Sequence, residues 1–296
     1  MSRMFDALKS MNSPVARMIE TEQRRQAQVA GAPAPPDGGA PAENQVFTIR
    51  GDRRAAGHPE SPSTPQTHRV VRLDAGSSKH ILPFDGVDKV TAERYRILRT
   101  NVLRAAAPHS AIGITSVSPG DGKTTTSINL AGALALKNEL RVLLVDADLR
   151  RRGVALMLGI EQKPGLAEIL AGECGPEEGI VAAGNLPGLF ILPAGAPTSS
   201  PAELLDSAAL AHLAADLREQ FSYVVFDTTP VGVVADYSLV EKVCDHTMLV
   251  VRPDHTVRKP CFDALEKVQR DKFLGVVLNG IEEWPLWKSP DRYDYY

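Results

Sequence analysis

A strand, loop and helix pattern at residues 111–136, AIGITSV followed by SPGDGKTTTSINLAGALAL, restricts what this chain can fold into more than any other feature. Gly120 and Gly122 let backbone N–H groups curl around a phosphate, and the positive end of the following helix adds to the attraction. Lys123 then reaches the β and γ phosphates of a nucleotide, and the Thr124 hydroxyl ligates Mg2+. The nucleotide-binding stretch expected here is Pro119, Gly120, Asp121, Gly122, Lys123, Thr124 and Thr125, with ATP and Mg2+ as ligands. The general spacing G-x-x-x-x-G-K-[ST] places a glycine at 117, where this chain has Val117, so the loop is a variant form.

Further apolar runs alternate with helical segments: RVLLVDAD (141–148), GLFILPA (188–194), SYVVFD (222–227), TMLVVR (247–252) and LGVVLN (274–279). Near-continuous apolar strands separated by helices predict an α/β protein of the P-loop NTPase fold, a mostly parallel sheet with helices on both faces. Two strands end in acid. Asp146 and Asp148 close one and Asp227 another, at the sheet edge where ligands of such folds bind. A hard cation needs several oxygen ligands, so Thr124, Asp148 and Asp227 are the expected metal positions. Phosphoryl transfer to a hydroxyl also needs a proton acceptor, and Asp146 is the expected base, although sequence alone leaves the three carboxylates exchangeable. Lys123, Asp146 and Asp148 form the catalytic set. Asn279, after the last strand, reads either as an adenine contact or as a turn residue.

The remainder is organised differently. Phe5, Leu8, Met11, Val15, Met18 and Ile19 lie at approximately helical spacing, which predicts a short N-terminal helical segment over 1–30. Residues 31–84 are rich in Pro, Gly and Ala and have too little apolar surface to offset their ordering entropy, so a disordered linker is expected there. A catalytic domain over 85–286 and a flexible tail over 287–296 complete the division. The formal charge of -3 and the lack of a basic block argue against a nucleic-acid partner. Cys174, Cys244 and Cys261 form no metal or redox spacing and read as inert thiols in a reducing compartment. No apolar run reaches the length of a membrane span, which predicts a cytoplasmic protein.

TSVSPGDGKTTTSINLA, VLLVDADLRR and VVFDTTP together resemble the bacterial tyrosine kinases that regulate capsule and exopolysaccharide synthesis. The similarity extends through KPGLAEILAG (163–172), LPAGAPTSSPAELLDS (192–207) and LVVRPDHT (249–256). It implies autophosphorylation of a C-terminal tyrosine cluster in trans, with Tyr293, Tyr295 and Tyr296 as acceptors. It also implies a homo-oligomer joined through an E-x-x-R-x-x-R helix, here Glu93, Arg96 and Arg99. A transmembrane polysaccharide co-polymerase adaptor and a cognate tyrosine phosphatase are the implied partners, which places the chain at the inner face of the plasma membrane. Two family prolines are replaced, by Arg152 after VLLVDADLRR and by Thr229 in DTTP. Two other readings compete. One is a partitioning or septum-placement ATPase, whose signature lysine position holds Ser118 here; the other is a nucleotide-binding scaffold without kinase activity.

Overall fold

The computed structural model describes residues 68–74 and 89–281 except Asn138 and Asp254. All belong to one unit, Thr64–Tyr296. The expectations for residues 1–30, for most of 31–84 and for the tyrosine tail at 287–296 lie outside the described residues.

The strands are β1 (Arg69–Val71), β2 (Ser110–Ser116), β3 (Val142–Asp146), β4 (Val181–Ala183), β5 (Leu189–Leu192), β6 (Tyr223–Asp227), β7 (His246–Val251) and β8 (Phe273–Leu278). They form a single sheet in the order β1-β4-β5-β3-β6-β2-β7-β8. From β5 to β8 every neighbouring pair is parallel; only β4 runs antiparallel to β5, and β1 follows β4 in parallel. Helices α1 (Lys89–Ala105), α2 (Lys123–Ala135), α3 (Gly153–Leu158), α4 (Leu166–Ala171), α5 (Pro176–Gly179), α6 (Pro201–Leu205), α7 (Ala208–Gln220), α8 (Asp236–Val243) and α9 (Arg258–Lys267) connect them.

The continuous apolar character of the central strands follows from burial on both faces. In β3, Val142 and Leu144 join Ile128 and Leu134 of α2 in one core, while Leu143 and Val145 join Leu213 and Leu217 of α7 in another. The strand period of two sends alternate side chains to opposite cores, so both sets must be apolar. Helix α2 is buried along most of its length, which explains its lack of a polar face. Helix α1 adds Val102 to the same core, with Leu98 and Leu103 partly buried against it.

The sheet extends into the segment expected as linker, a correction to the 31–84 boundary. His68 packs edge-on against Phe190 with ring centroids 5.4 Å apart, and the Asn185 side chain bonds both the N–H and C=O of Leu73, each at 3.1 Å. Those partners lie more than a hundred residues away in sequence, and three strand residues make no readable alternation.

Candidate functional site

The carboxyl ends of β2, β3 and β6 are adjacent because of strand register: Asp227 is level with Asp146 on one side and Ile114 on the other. The loop after β2 therefore opens beside both acidic strand ends. Gly120 and Gly122 have φ of 93° and 92°, the left-handed region that glycine adopts without strain. A Cβ on Gly122 would lie 1.8 Å from Asn279 Nδ2, so close approach of that amide requires glycine as well. Val117 is buried with Leu249 and Tyr237 in a small core beside the sheet, so the position where the general motif has glycine serves packing here.

Asp121, expected among the nucleotide ligands, is fully buried and ties the loop together. Its Oδ2 accepts the Ser118 N–H at 2.7 Å, while Oδ1 accepts the Thr256 hydroxyl at 2.8 Å and lies 2.9 Å from His255 Nδ1. Asn279 donates from Nδ2 to the Asp121 carbonyl at 2.9 Å. Segments after β7 and β8 thus hold the phosphate loop in shape. His255 and Thr256 had no expected role; their only signal was their place in LVVRPDHT.

Lys123 heads α2 and points into the acidic edge. Its Nζ donates to Asp148 Oδ2 at 2.8 Å, lies 3.3 Å from Thr124 Oγ1 and stands 3.8 Å from Asp227 Oδ2. Burial opposes the lysine's charge, but Asp227 and Asp148 outweigh it and raise the pKa. Asp227 is wholly buried, with its Oδ1 3.0 Å from Ser127 Oγ. Ser127 was not foreseen. Asp227 Oδ2 and Thr229 Oγ1 are buried without a hydrogen-bond partner among the described residues. Burial also raises the Asp227 pKa.

Asp146 is fully buried, accepting the Asp148 N–H at 3.2 Å and the Val154 N–H at 3.0 Å. Burial, reinforced by the Asp227 charge, pushes its pKa up to about 8. Asp148 also accepts the Arg151 N–H at 3.0 Å, so its carboxylate organises the turn while it pairs with Lys123. Arg150 grips the buried Asp236 with two bonds, 2.7 and 3.1 Å, and joins the turn after β3 to the start of α8.

Three buried carboxylates facing one lysine carry an excess of negative charge, and the bare Asp227 oxygen fits a site for a hard cation. Among the described residues no cluster of three or more His, Cys, Asp or Glu side chains has metal-holding geometry. Mg2+ suits this arrangement, because it is usually held by one or two carboxylates together with substrate phosphates.

The expected contact helix is only partly outward. Glu93 and Arg96 pair with each other at 2.8 Å on the exposed side of α1, whereas Arg99 donates to the Ala133 carbonyl at 3.0 Å, at the end of α2. At about 100° per residue, six positions rotate a side chain by about 240°, so Arg99 has left the face that Glu93 occupies. Only Glu93 and Arg96 of the three motif residues thus pair on the exposed side of the helix. At Arg152 the backbone φ is 51°, a conformation proline cannot adopt. Cys174, Cys244 and Cys261 are all free, and burial pushes the Cys244 thiol up to about 12.

A family model described as an AAA domain matches residues 109–257. The chain is 34% identical over 200 residues to the tyrosine-protein kinase CpsD of Streptococcus pneumoniae serotype 4, covering 66% of this chain and 86% of that protein. It is 33% identical over 217 residues to the tyrosine-protein kinase YwqD of Bacillus subtilis, covering 71% and 91%. The kinase domain of Escherichia coli tyrosine kinase ETK superposes with a TM-score of 0.63 at 27% identity, covering 74% of this chain and 85% of that one. With the phosphate loop and both acidic strand ends assembled at one sheet edge, these likenesses show that the chain belongs to the bacterial tyrosine-protein kinase family.

Proposed function

We propose that this chain, a protein-tyrosine kinase by family, transfers the γ-phosphoryl group of ATP to tyrosines of its own C-terminal segment, each segment entering the site of another copy. The observation that carries this reading is the buried constellation of Lys123 with Asp146, Asp148 and Asp227 beside the phosphate loop. In this reading the loop N–H groups and Lys123 hold the triphosphate, with Lys123 exchanging its bond to Asp148 for one to the transferring phosphate. Thr124, Asp148 and Asp227 would hold Mg2+, which would supply positive charge against the phosphates. The tyrosine oxygen attacks the γ phosphorus, the bond to the β,γ-bridging oxygen breaks, and the phenolic proton passes to the Asp146 carboxylate, the form that a cation held beside Asp148 and Asp227 would favour over the protonated carboxyl of the empty site. A free phenol with a pKa of about 10 is almost wholly protonated at neutral pH, so this acceptor lowers the barrier. Asn279 supports the loop and contacts adenine from the same strand end.

The acceptors are Tyr293, Tyr295 and Tyr296, and Glu93 and Arg96 on the exposed side of α1 join neighbouring subunits. Each phosphate adds about -1.5 to -2 charges at pH 7. Three of them outweigh the formal -3 of the chain and favour separation of crowded subunits. The process controlled is capsule or exopolysaccharide synthesis or export. A transmembrane co-polymerase adaptor acts as activator and a tyrosine phosphatase reverses the modification. No helix among the described residues is long and apolar enough to cross a membrane. In this reading the adaptor brings the chain to the inner membrane face, with the segment over 1–30 as a docking element.

Deletion of residues 293–296 is expected to abolish autophosphorylation while leaving ATP binding intact. Phosphotyrosine at the wild-type level after deletion would reject the tail as acceptor, and absence of tail phosphate in protein from its native host would favour the scaffold reading.

A further inference from the structure

Next to the catalytic edge lies a cavity of about 550 Å³, lined by Arg152 and by residues 161–163 and 195–197. Its position is fixed by the chain: Arg152 donates its N–H to the Asp148 carbonyl at 2.8 Å, and Val154, two residues on, donates to Asp146. Between them, a Cβ on Gly153 would touch the Thr124 side chain at 3.5 Å. The cavity therefore opens beside the residues assigned to Mg2+ and to proton transfer.

The opposite wall is rigid. Glu168 accepts the N–H groups of Gly165 and Ala196, both at 2.9 Å, and any Cβ on Gly165 would lie 2.4 Å from Gly195 N and Pro193 O. The floor has an unmet need: Gln162 donates Nε2 to the Arg152 carbonyl at 2.8 Å, while its Oε1 is buried without a hydrogen-bond partner. Charge is also unbalanced. Glu161 is neutralised by Arg69 at 2.5 Å, which leaves half-buried Arg152 and exposed Lys163 without an acidic partner among the described residues. Two unpaired cations over an orphaned acceptor suit a polypeptide carrying a carboxylate and hydrogen-bond donors.

We propose that this cavity receives the C-terminal segment of a second copy of the chain, with Arg152 and Lys163 pairing with Asp294. The segment reads KSPDRYDYY over 288–296, and Asp294 stands between Tyr293 and Tyr295. Seating its carboxylate holds a tyrosine about 3.3 Å along an extended chain on either side, at a cavity whose Arg152 bonds the Asp148 carbonyl. Lys288 and Arg292 offset the acids of the segment as a whole, so recognition acts at the position of Asp294 and not through net charge. Arg152 supplies one of the two cations. This inference rests on the reading of the tail as phosphoacceptor and adds the residues that select it.

The test uses the full chain with Tyr293→Phe, Tyr295→Phe and Tyr296→Phe as enzyme and a synthetic peptide of residues 287–296 as acceptor. Arg152→Gly keeps the left-handed backbone and removes the guanidinium, and Lys163→Glu reverses an exposed charge. Each is expected to raise the peptide KM by about tenfold with kcat held within about twofold. Against the double variant Arg152→Gly with Lys163→Glu, an Asp294→Lys peptide is expected to recover most of the loss. An unchanged KM in both variants, or a loss that the reversed peptide fails to recover, overturns the docking. A peptide that no enzyme labels overturns the acceptor reading, and the docking with it.

Discussion

Replacing Lys123 with methionine is expected to reduce tyrosine labelling by at least about 10³-fold, the scale seen when a cation is removed from a phosphoryl-transfer site. Methionine retains most of the apolar stem, and the loop keeps its supports from Asp121 and Asn279, so loss of fold should not be the cause. What disappears is the only cation within 4 Å of Asp148 and Asp227 among the described residues. The wholly buried Asp227 carboxylate then escapes its uncompensated charge only by binding a proton. The variant should accordingly melt closer to wild type in mild acid than at alkaline pH. Circular dichroism melts at two pH values, run beside the labelling assay, check both statements; labelling at the wild-type level would remove Lys123 from the mechanism.

Asp146→Asn is expected to separate activity from stability. Loss of the proton acceptor should lower kcat by about 10²- to 10⁴-fold. The stability effect has a definite sign. The Asp146 carboxyl has its pKa raised to about 8 in the fold, against about 3.9 in an unfolded chain. Between those values the unfolded chain is ionised and the folded one protonated, so wild-type stability falls as pH rises through that window. Asparagine does not titrate, so the variant gains on wild type from about pH 4 to about pH 8, by several kcal/mol at most. It also loses one of the two acceptors that bond Asp148 N and Val154 N, an offset that does not vary with pH. The readout is the pH dependence of the melting difference without nucleotide. A flat difference would contradict the raised pKa.

Long-range geometry separates what could be read in the sequence from what could not. The phosphate loop and the strands ending at Asp146 and Asp227 stand out because burial on both faces makes those strands continuously apolar. Ligand chemistry then sits at their shared edge. β1 and β4 went unseen since three residues hold no pattern, and their place depends on Asn185 and Phe190 across the sheet edge. Ser127 looked like one more small residue in a buried helix. Its role appears only once α2 lies over β6 and brings its hydroxyl to Asp227. His255 and Thr256 bind Asp121 from more than 130 residues away, a contact no local spacing encodes. Arg99 matched a motif in sequence, yet helix rotation carried it to Ala133.

The most direct test of the account is calorimetric titration of the purified chain with a non-hydrolysable ATP analogue, with and without Mg2+. Saturable binding that weakens by at least about tenfold when the metal is chelated, a difference of about 1.4 kcal/mol, is the predicted result. No binding, or binding indifferent to the metal, would contradict the assignment of Lys123, Thr124, Asp148 and Asp227 to a magnesium-nucleotide site.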